Sequence, residues 1–203
     1  MSGADGLLLL GDATATMTAN VSGNTFLHNR DDGFQTSTRT PSTAQMNVTF
    51  NGNDVIQGVN NVPNNAAVTV SPGSSSDLKF KMDDNDLSGS LGSALILNPG
   101  PDSTASASYD AIVTNNRIGT GVADSGSVNG IGIWGRTAGS GVNRFEIRNN
   151  TVRNFQQQGM YLRGNEGVGQ VTDYTVTGNT VTNPDGTGFR IPVSYTHLTL
   201  PTN

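Results

Sequence analysis

An all-β solenoid with three short strands per coil is predicted by three observations: an asparagine at nearly constant spacing, a fixed apolar frame around it, and period-two alternation throughout. The asparagines are Asn24, Asn53, Asn85, Asn116, Asn150 and Asn179, 29 to 34 residues apart. Self-similarity at such a period marks a repeat array. Three residues before each stands an apolar side chain (Val21, Phe50, Met82, Val113, Ile147, Val176), and two after it another (Phe26, Val55, Leu87, Ile118, Val152, Val181). Five before are Ala19, Val48, Phe80, Ala111, Phe145 and Tyr174. Alternation with a period of two places these side chains on one face of a strand, and no stretch keeps the i, i+3, i+4 spacing of an amphipathic helix.

The first strand of each unit therefore ends at the asparagine and the second begins just after it. Asparagine suits the tight corner between them because it tolerates the left-handed backbone better than other side chains apart from glycine. Stacked copies can also exchange amide hydrogen bonds from coil to coil. Gly23, Gly52 and Gly178 precede the corner in three units, and Asp84, Asn115 and Asn149 in the others. A variable loop follows, to which insertions are expected to be confined. A third strand comes next, led by a small residue: Gly33-Phe34-Gln35-Thr36, Ala67-Val68-Thr69-Val70, Ala94-Leu95-Ile96-Leu97, Gly130-Ile131-Gly132-Ile133, Gly159-Met160-Tyr161-Leu162 and Gly188-Phe189-Arg190-Ile191. Thr36 alone breaks the apolar pattern. A partial unit, Gly6-Leu7-Leu8-Leu9, precedes them. Stacking is required for stability, because an isolated coil has no core.

The runs Val21-Ser-Gly-Asn-Thr-Phe26, Ile147-Arg-Asn-Asn-Thr-Val152 and Val176-Thr-Gly-Asn-Thr-Val181, each followed by a small-residue-led strand, resemble the right-handed parallel β-helix, or pectin-lyase-like, fold. The resemblance implies a right-handed, single-stranded parallel β-helix of about six to seven rungs over residues 1–192. That fold hosts lyases, hydrolases, phage tailspikes and bacterial adhesins, so it does not select an activity. The Asn/Thr/Gly-rich style is most similar to repeat regions of large bacterial secreted or surface proteins. Residues 193–203 abandon the repeat and resemble the conceptual translation of a transposase sequencing adapter. They are expected to be non-native, which removes His197 from consideration. Met1 is then expected to be internal to a longer chain, whose cut ends would expose β edges and favour self-association.

Composition narrows the function classes. Charged residues are 13% of the chain, and polar coverage comes instead from Ser, Thr and 23 asparagines. Without cysteine there is neither a disulfide framework nor a thiolate metal site. A calcium-binding glycine-aspartate nonapeptide is also missing, so no metal or other cofactor is expected. The net charge of -5 with no basic run argues against nucleic acid as a partner. The Leu7 to Leu10 run is too short to insert in a membrane.

In the β-helix enzymes the resemblance brings to mind, the variable loop and the third strand form the polysaccharide cleft. Two constellations fall there. Asp5 and Asp32 precede the small residues of successive units, with Asp31 adjacent. Carboxylates on neighbouring rungs suit an acid/base glycosidase, one protonating the leaving oxygen and one activating water. The Asn-Thr-Asp, His-Gly and Arg-Ile-Lys motifs of polygalacturonases are absent, and the alternative is that these are solvated loop acids. The second constellation is aromatic and basic. The spacing puts Trp134 beside Arg163 in one column and Tyr161 beside Arg190 in the next, suited to stacking on a sugar face and pairing with a uronate. The bland reading is that these side chains shield one another. His28 lacks a placed nucleophile, and Asp83 and Asp84 read as turn residues.

The expected function is a non-catalytic, structural or adhesive segment of an exported bacterial surface protein that contacts polysaccharide or cell-surface glycan, outside the cell. The alternative is a polysaccharide lyase or glycoside hydrolase of the same fold.

Overall fold

The computed structural model describes residues 5–57, 66–98, 106–119, 130, 132–137, 139–164, 171–182, 187–192 and 197–199. Met1, Ile131 and tail residues 193–196 and 200–203 lie outside the described residues. In chain order the strands are β1 (Leu7–Ala13), β2 (Thr16–Ser22), β3 (Thr25–Leu27), β4 (Phe34–Ser42), β5 (Gln45–Asn51), β6 (Asp54–Ile56), β7 (Val68–Ser71), β8 (Asp77–Asp83), β9 (Asp86–Ser88), β10 (Leu95–Leu97), β11 (Ser108–Thr114), β12 (Arg117–Ile118), β13 (Ile133–Arg136), β14 (Val142–Arg148), β15 (Thr151–Arg153), β16 (Gln158–Arg163), β17 (Val171–Thr177), β18 (Thr180–Thr182), β19 (Thr187–Arg190) and β20 (His197–Thr199).

Strands of the same kind stack on one another. The first sheet runs β1-β4-β7-β10-β13-β16-β19, the second β2-β5-β8-β11-β14-β17-β20 and the third β3-β6-β9-β12-β15-β18. The pairings between them are parallel, so the chain is a parallel β-solenoid, as its repeat predicts. The partial unit at Gly6 is in fact an intact strand: Leu7 pairs with Phe34 and Leu9 with Thr36.

The inward columns supply the core. Phe34, Phe50 and Phe80 stack through the early rungs, with Phe34 and Phe50 centroids 4.5 Å apart. Further along the core, Phe145 packs edge-on against Tyr109 at 5.3 Å and stacks on Tyr174 at 5.0 Å. Thr36 is wholly buried and its hydroxyl has no hydrogen-bond partner in the protein, which explains why the pattern-breaking residue is an energetic weak point.

The asparagines form a continuous ladder. The Asn85 backbone N–H donates to Asn116 Oδ1 at 3.0 Å, and Asn85 Nδ2 donates to the same oxygen at 2.8 Å. The relation repeats from Asn24 through Asn53 and from Asn116 through Asn150 to Asn179. Each inner Nδ2 also donates to a carbonyl on its own rung and to one on the rung before: for Asn116, Thr114 O at 2.8 Å and Met82 O at 3.3 Å. Four inner members, Asn53, Asn85, Asn116 and Asn150, are buried.

Three expectations need correction. The left-handed residue at the corner is not the ladder asparagine but the residue before it: φ is +65° at Gly23, +53° at Asp84, +57° at Asn115 and +64° at Gly178. Turning the chain one position earlier frees the asparagine side chain to point inward and bond. Second, the small residue heading β13 is Gly132, not Gly130, because Ile133 pairs with both Leu95 and Met160. The site requires a missing Cβ: one added at Gly132 would lie 2.3 Å from Val152 Cγ1, and at Gly33 the same distance from Val55 Cγ1. Third, insertions are not confined to one loop. The connection from the first sheet to the second grows from two residues between β1 and β2 to ten between β10 and β11.

Within the tail, β20 pairs in parallel with β17, placing Leu198 opposite Tyr174. An open sheet edge accepts most sequences through backbone bonds alone.

Asn116→Leu removes the donor to the carbonyls of Met82 and Thr114, the latter of which keeps the Asp84 N–H, and strands the N–H of Asn85, and is expected to cost about 1 to 3 kcal/mol, the scale of one stranded group. Urea unfolding followed by circular dichroism measures it; a midpoint equal to wild type would refute the ladder's role. Thr36→Val keeps the shape and removes the unpaired hydroxyl, so the same titration should show a gain of about 1 kcal/mol.

Candidate functional site

Alternation decides which side chains of the first sheet face outward, and register decides which of them are neighbours. One outward column runs Gln35, Thr69, Ile96, Trp134, Tyr161 and Arg190. Arg136 and Arg163 are paired in the next. Trp134 therefore stands beside Tyr161 and not beside Arg163, because moving the strand's leading glycine to Gly132 shifts every later residue of β13 by two. The predicted neighbours Tyr161 and Arg190 do meet: the Arg190 guanidinium carbon sits 5.3 Å from the Tyr161 ring centroid, a cation-π contact worth about 0.5 to 1 kcal/mol where exposed. Arg163 is the register partner of Arg136, and its carbonyl accepts a hydrogen bond from Tyr174 Oη at 3.2 Å. A strip of two rings and three guanidiniums results, spread over β13, β16 and β19. Its flat faces and planar cations match the apolar face and the anionic groups of a sugar chain.

The acidic constellation is brought together, and its carboxylates are tied to the backbone. Asp5 Oδ1 accepts the N–H of Asp32 at 3.2 Å, and Asp32 Oδ1 accepts the N–H of Ala66 at 2.8 Å. Each aspartate thus caps the amide one rung further on. Asp32 also accepts the Thr69 hydroxyl. Only 7% of Asp32 is exposed, and burial, reinforced by the charges of Asp31 and Asp5, pushes its pKa up to about 6 despite those two hydrogen bonds. Burial likewise raises Asp5, with Asp31 adding to it. The Asp31 carbonyl is held by Gln57 Nε2 at 2.8 Å, and the same nitrogen reaches Ala66 O at 2.9 Å. Gln57, buried and absent from sequence reasoning, thereby fastens two successive loops.

The remaining candidates are structural. Asp84 adopts the left-handed corner, while Asp83 accepts from Thr114 Oγ1 at 2.6 Å and Asn115 Nδ2 at 2.8 Å. His28 is an exposed loop residue with φ of +51°. Among the described residues no group of three or more His, Cys, Asp or Glu side chains could hold a metal ion, and no helix is long and apolar enough to cross a membrane.

Sequence reasoning missed a charged column on the second sheet. Lys79, Asp110, Arg144 and Asp173 alternate in sign along successive strands. Arg144 lies 3.6 Å from Asp110 and 3.7 Å from Asp173. The pairs are solvated and contribute about 0 to 1 kcal/mol each, so this face largely neutralises itself. The signal was readable once the apolar columns had set the register.

Because Asp32 has a higher pKa folded than unfolded, the folded chain binds its proton more tightly between about pH 4 and 6. Stability from this group is greatest at low pH and falls as pH rises through that window, by about 3 kcal/mol at most. Asp32→Asn keeps an acceptor for Ala66 and removes the charge. It is expected to raise the melting temperature at pH 7 and flatten the slope between pH 4 and 6, as thermal melts across that range would record.

The chain matches no protein-family model, no curated protein and no solved structure.

Proposed function

We propose that the chain is a non-catalytic rod segment of an exported bacterial surface protein, structural or adhesive in role, whose first sheet binds glycan outside the cell. This reading takes the solenoid as a right-handed, pectin-lyase-like β-helix of six to seven rungs and residues 193–203 as adapter-encoded. The observation that carries it is the outward strip on which Arg190 lies over Tyr161, one strand away from Trp134. Half-buried rings in register on two adjacent strands give a polymer two neighbouring stacking platforms. The engagement of Asp5 and Asp32 with backbone amides supports the non-catalytic part.

A second reading, polysaccharide lyase or glycoside hydrolase, is favoured by one observation. A carboxyl group poised near pH 6 matches a general acid working near neutrality. Incubation with pectin, alginate and related polymers separates the two. The rod reading expects no release of reducing ends or unsaturated uronides. Release that disappears in a folded Asp32→Asn variant would establish the enzyme and overturn the rod.

Self-association belongs to the same reading. Among the described residues, strands β1, β2 and β3 each pair on one side only, and Leu7, Leu9, Met17 and Phe26 beside them are partly exposed. Sedimentation velocity of the chain is expected to show larger species as concentration rises. An unchanging monomer would remove association through the ends.

A further inference from the structure

The outward face of the second sheet carries a charge pattern that reads the same backwards with its signs reversed. Along the column Lys79, Asp110, Arg144, Asp173 the signs run plus, minus, plus, minus. A two-fold axis lying in the face, parallel to the strands and midway between β11 and β14, returns this column on itself in reverse order. Asp110 of one copy then meets Arg144 of the other, and Lys79 meets Asp173, each contact occurring twice as an isologous interface requires. The other charged side chains of β8, β11, β14 and β17 each meet an uncharged one: Lys81 meets Thr175, Glu146 meets Ile112, Arg148 meets Thr114, Asp77 meets Val171 and Asp83 meets Thr177. Within these four strands no like charges face each other. A shift by one rung sets Arg144 against its own copy and Asp110 against Asp173, so the pattern selects one register.

These charges keep bonding capacity within the single chain. Arg144 approaches Asp110 and Asp173 at 3.6 and 3.7 Å, beyond hydrogen-bond length, and among the described residues Lys79 has no ion pair. Two large apolar side chains, Ile112 at 38% and Val171 at 43% exposure, lie uncovered on the same face. A groove of about 480 Å³ lined by Ile112, Arg144, Glu146 and Asp173 leaves room for a partner's side chains to enter. The four overlapping strands, each of seven residues, cover about 19 by 23 Å, a flat footprint of about 440 Å². That is below the roughly 800 Å² a side of a standard stable interface, which places the pair in the weak, transient class.

We infer that the second sheet is a lateral docking face for a second copy of this chain, the two rods lying antiparallel about an axis between β11 and β14. A second copy is the occupant because both halves of the complementarity stand on one surface. The contact joins the sides of two rods and not their ends, and it leaves the first sheet of each copy uncovered. It is independent of glycan binding and of association through the ends.

The chain has no cysteine, so single replacements report on this contact alone. Full chains carrying Lys81→Cys and Thr175→Cys are mixed at low salt and treated with a short bis-maleimide. The two positions oppose each other across the axis at about 10 Å, whereas each lies about 17 Å from its own copy, three rungs away. A mixed cross-linked dimer is expected, with little product from either variant alone. In sedimentation velocity the wild-type mass is expected to rise toward two chains with concentration. Arg144→Gln is expected to weaken that association about tenfold, because the axis repeats the lost pair, and about 1 M salt, where the screening length is about 3 Å, is expected to abolish it. Should Arg144→Gln alter the melting curve, Lys79→Gln reads the outer pair in the same way. Cross-linking as strong within one variant as between the two overturns the antiparallel axis. Association indifferent to salt and to both substitutions runs through the ends; it overturns lateral pairing and leaves the end-to-end reading standing. A monomer at every concentration, with no mixed cross-link, removes both.

Discussion

Everything in this molecule depends on keeping successive coils in parallel register at the strand spacing of about 4.8 Å. The asparagine ladder enforces it at one corner. Each inner side chain takes up a carbonyl below, a carbonyl on its own rung and an oxygen above, so a coil that slipped would strand several buried groups at once. Once that corner is pinned, apolar columns in all three sheets stack like over like, and the hydrophobic term follows from the polar one. Length variation must go into loops on either side of the pinned segment, which is where it is found.

The same constraint governs the surface. Outward side chains arrive one per rung, in rows parallel to the axis, so any recognition property is laid out as a linear array. The first sheet carries rings and guanidiniums in such rows; the second carries charges of alternating sign. On the third, Arg117 on β12 sits against Asp86 on β9. Acids on the second and third sheets lie against cations, while the guanidiniums of Arg136, Arg163 and Arg190 gather on the first. A chain that is acidic overall can in this way attract an anion locally, since field lines depend on where the charges sit rather than on their sum.

The fold was legible because its determinants repeat six times; one ambiguous unit cannot mislead when five others agree. Local register was less legible. Gly130-Ile131 and Gly132-Ile133 read alike, and what separates them is the pairing of Ile133 with its neighbours and the contact of Gly132 with Val152 on the next unit's third-sheet strand. That error put Trp134 in the wrong column, while Tyr161 and Arg190, on two strands that each have one possible frame, were placed beside each other. The corner was misassigned by one residue because asparagine is credible both as a left-handed residue and as a ladder rung, and the chain uses it for both, as at Asn115 and Asn116. Asp32 could be recognised as an acid at the head of the first-sheet strand β4, but its work as a cap on Ala66 depends on which amide the next loop leaves unpaired.

The ladder also has a direction. From Asn24 to Asn150 each member gives its backbone N–H and an Nδ2 hydrogen bond to the Oδ1 of the higher-numbered neighbour, and no Oδ1 of the ladder accepts in the opposite sense among these bonds. The amide dipoles along this corner all point the same way, and the rod has two chemically different poles. A rung laid beyond Asn179 must offer it an oxygen, whereas one laid before Asn24 must offer it protons. Two such rods can be joined tail to head with the ladder unbroken, and never head to head. Growth, splicing or capping of the solenoid is therefore vectorial, and a cap that silences one pole has the wrong chemistry for the other.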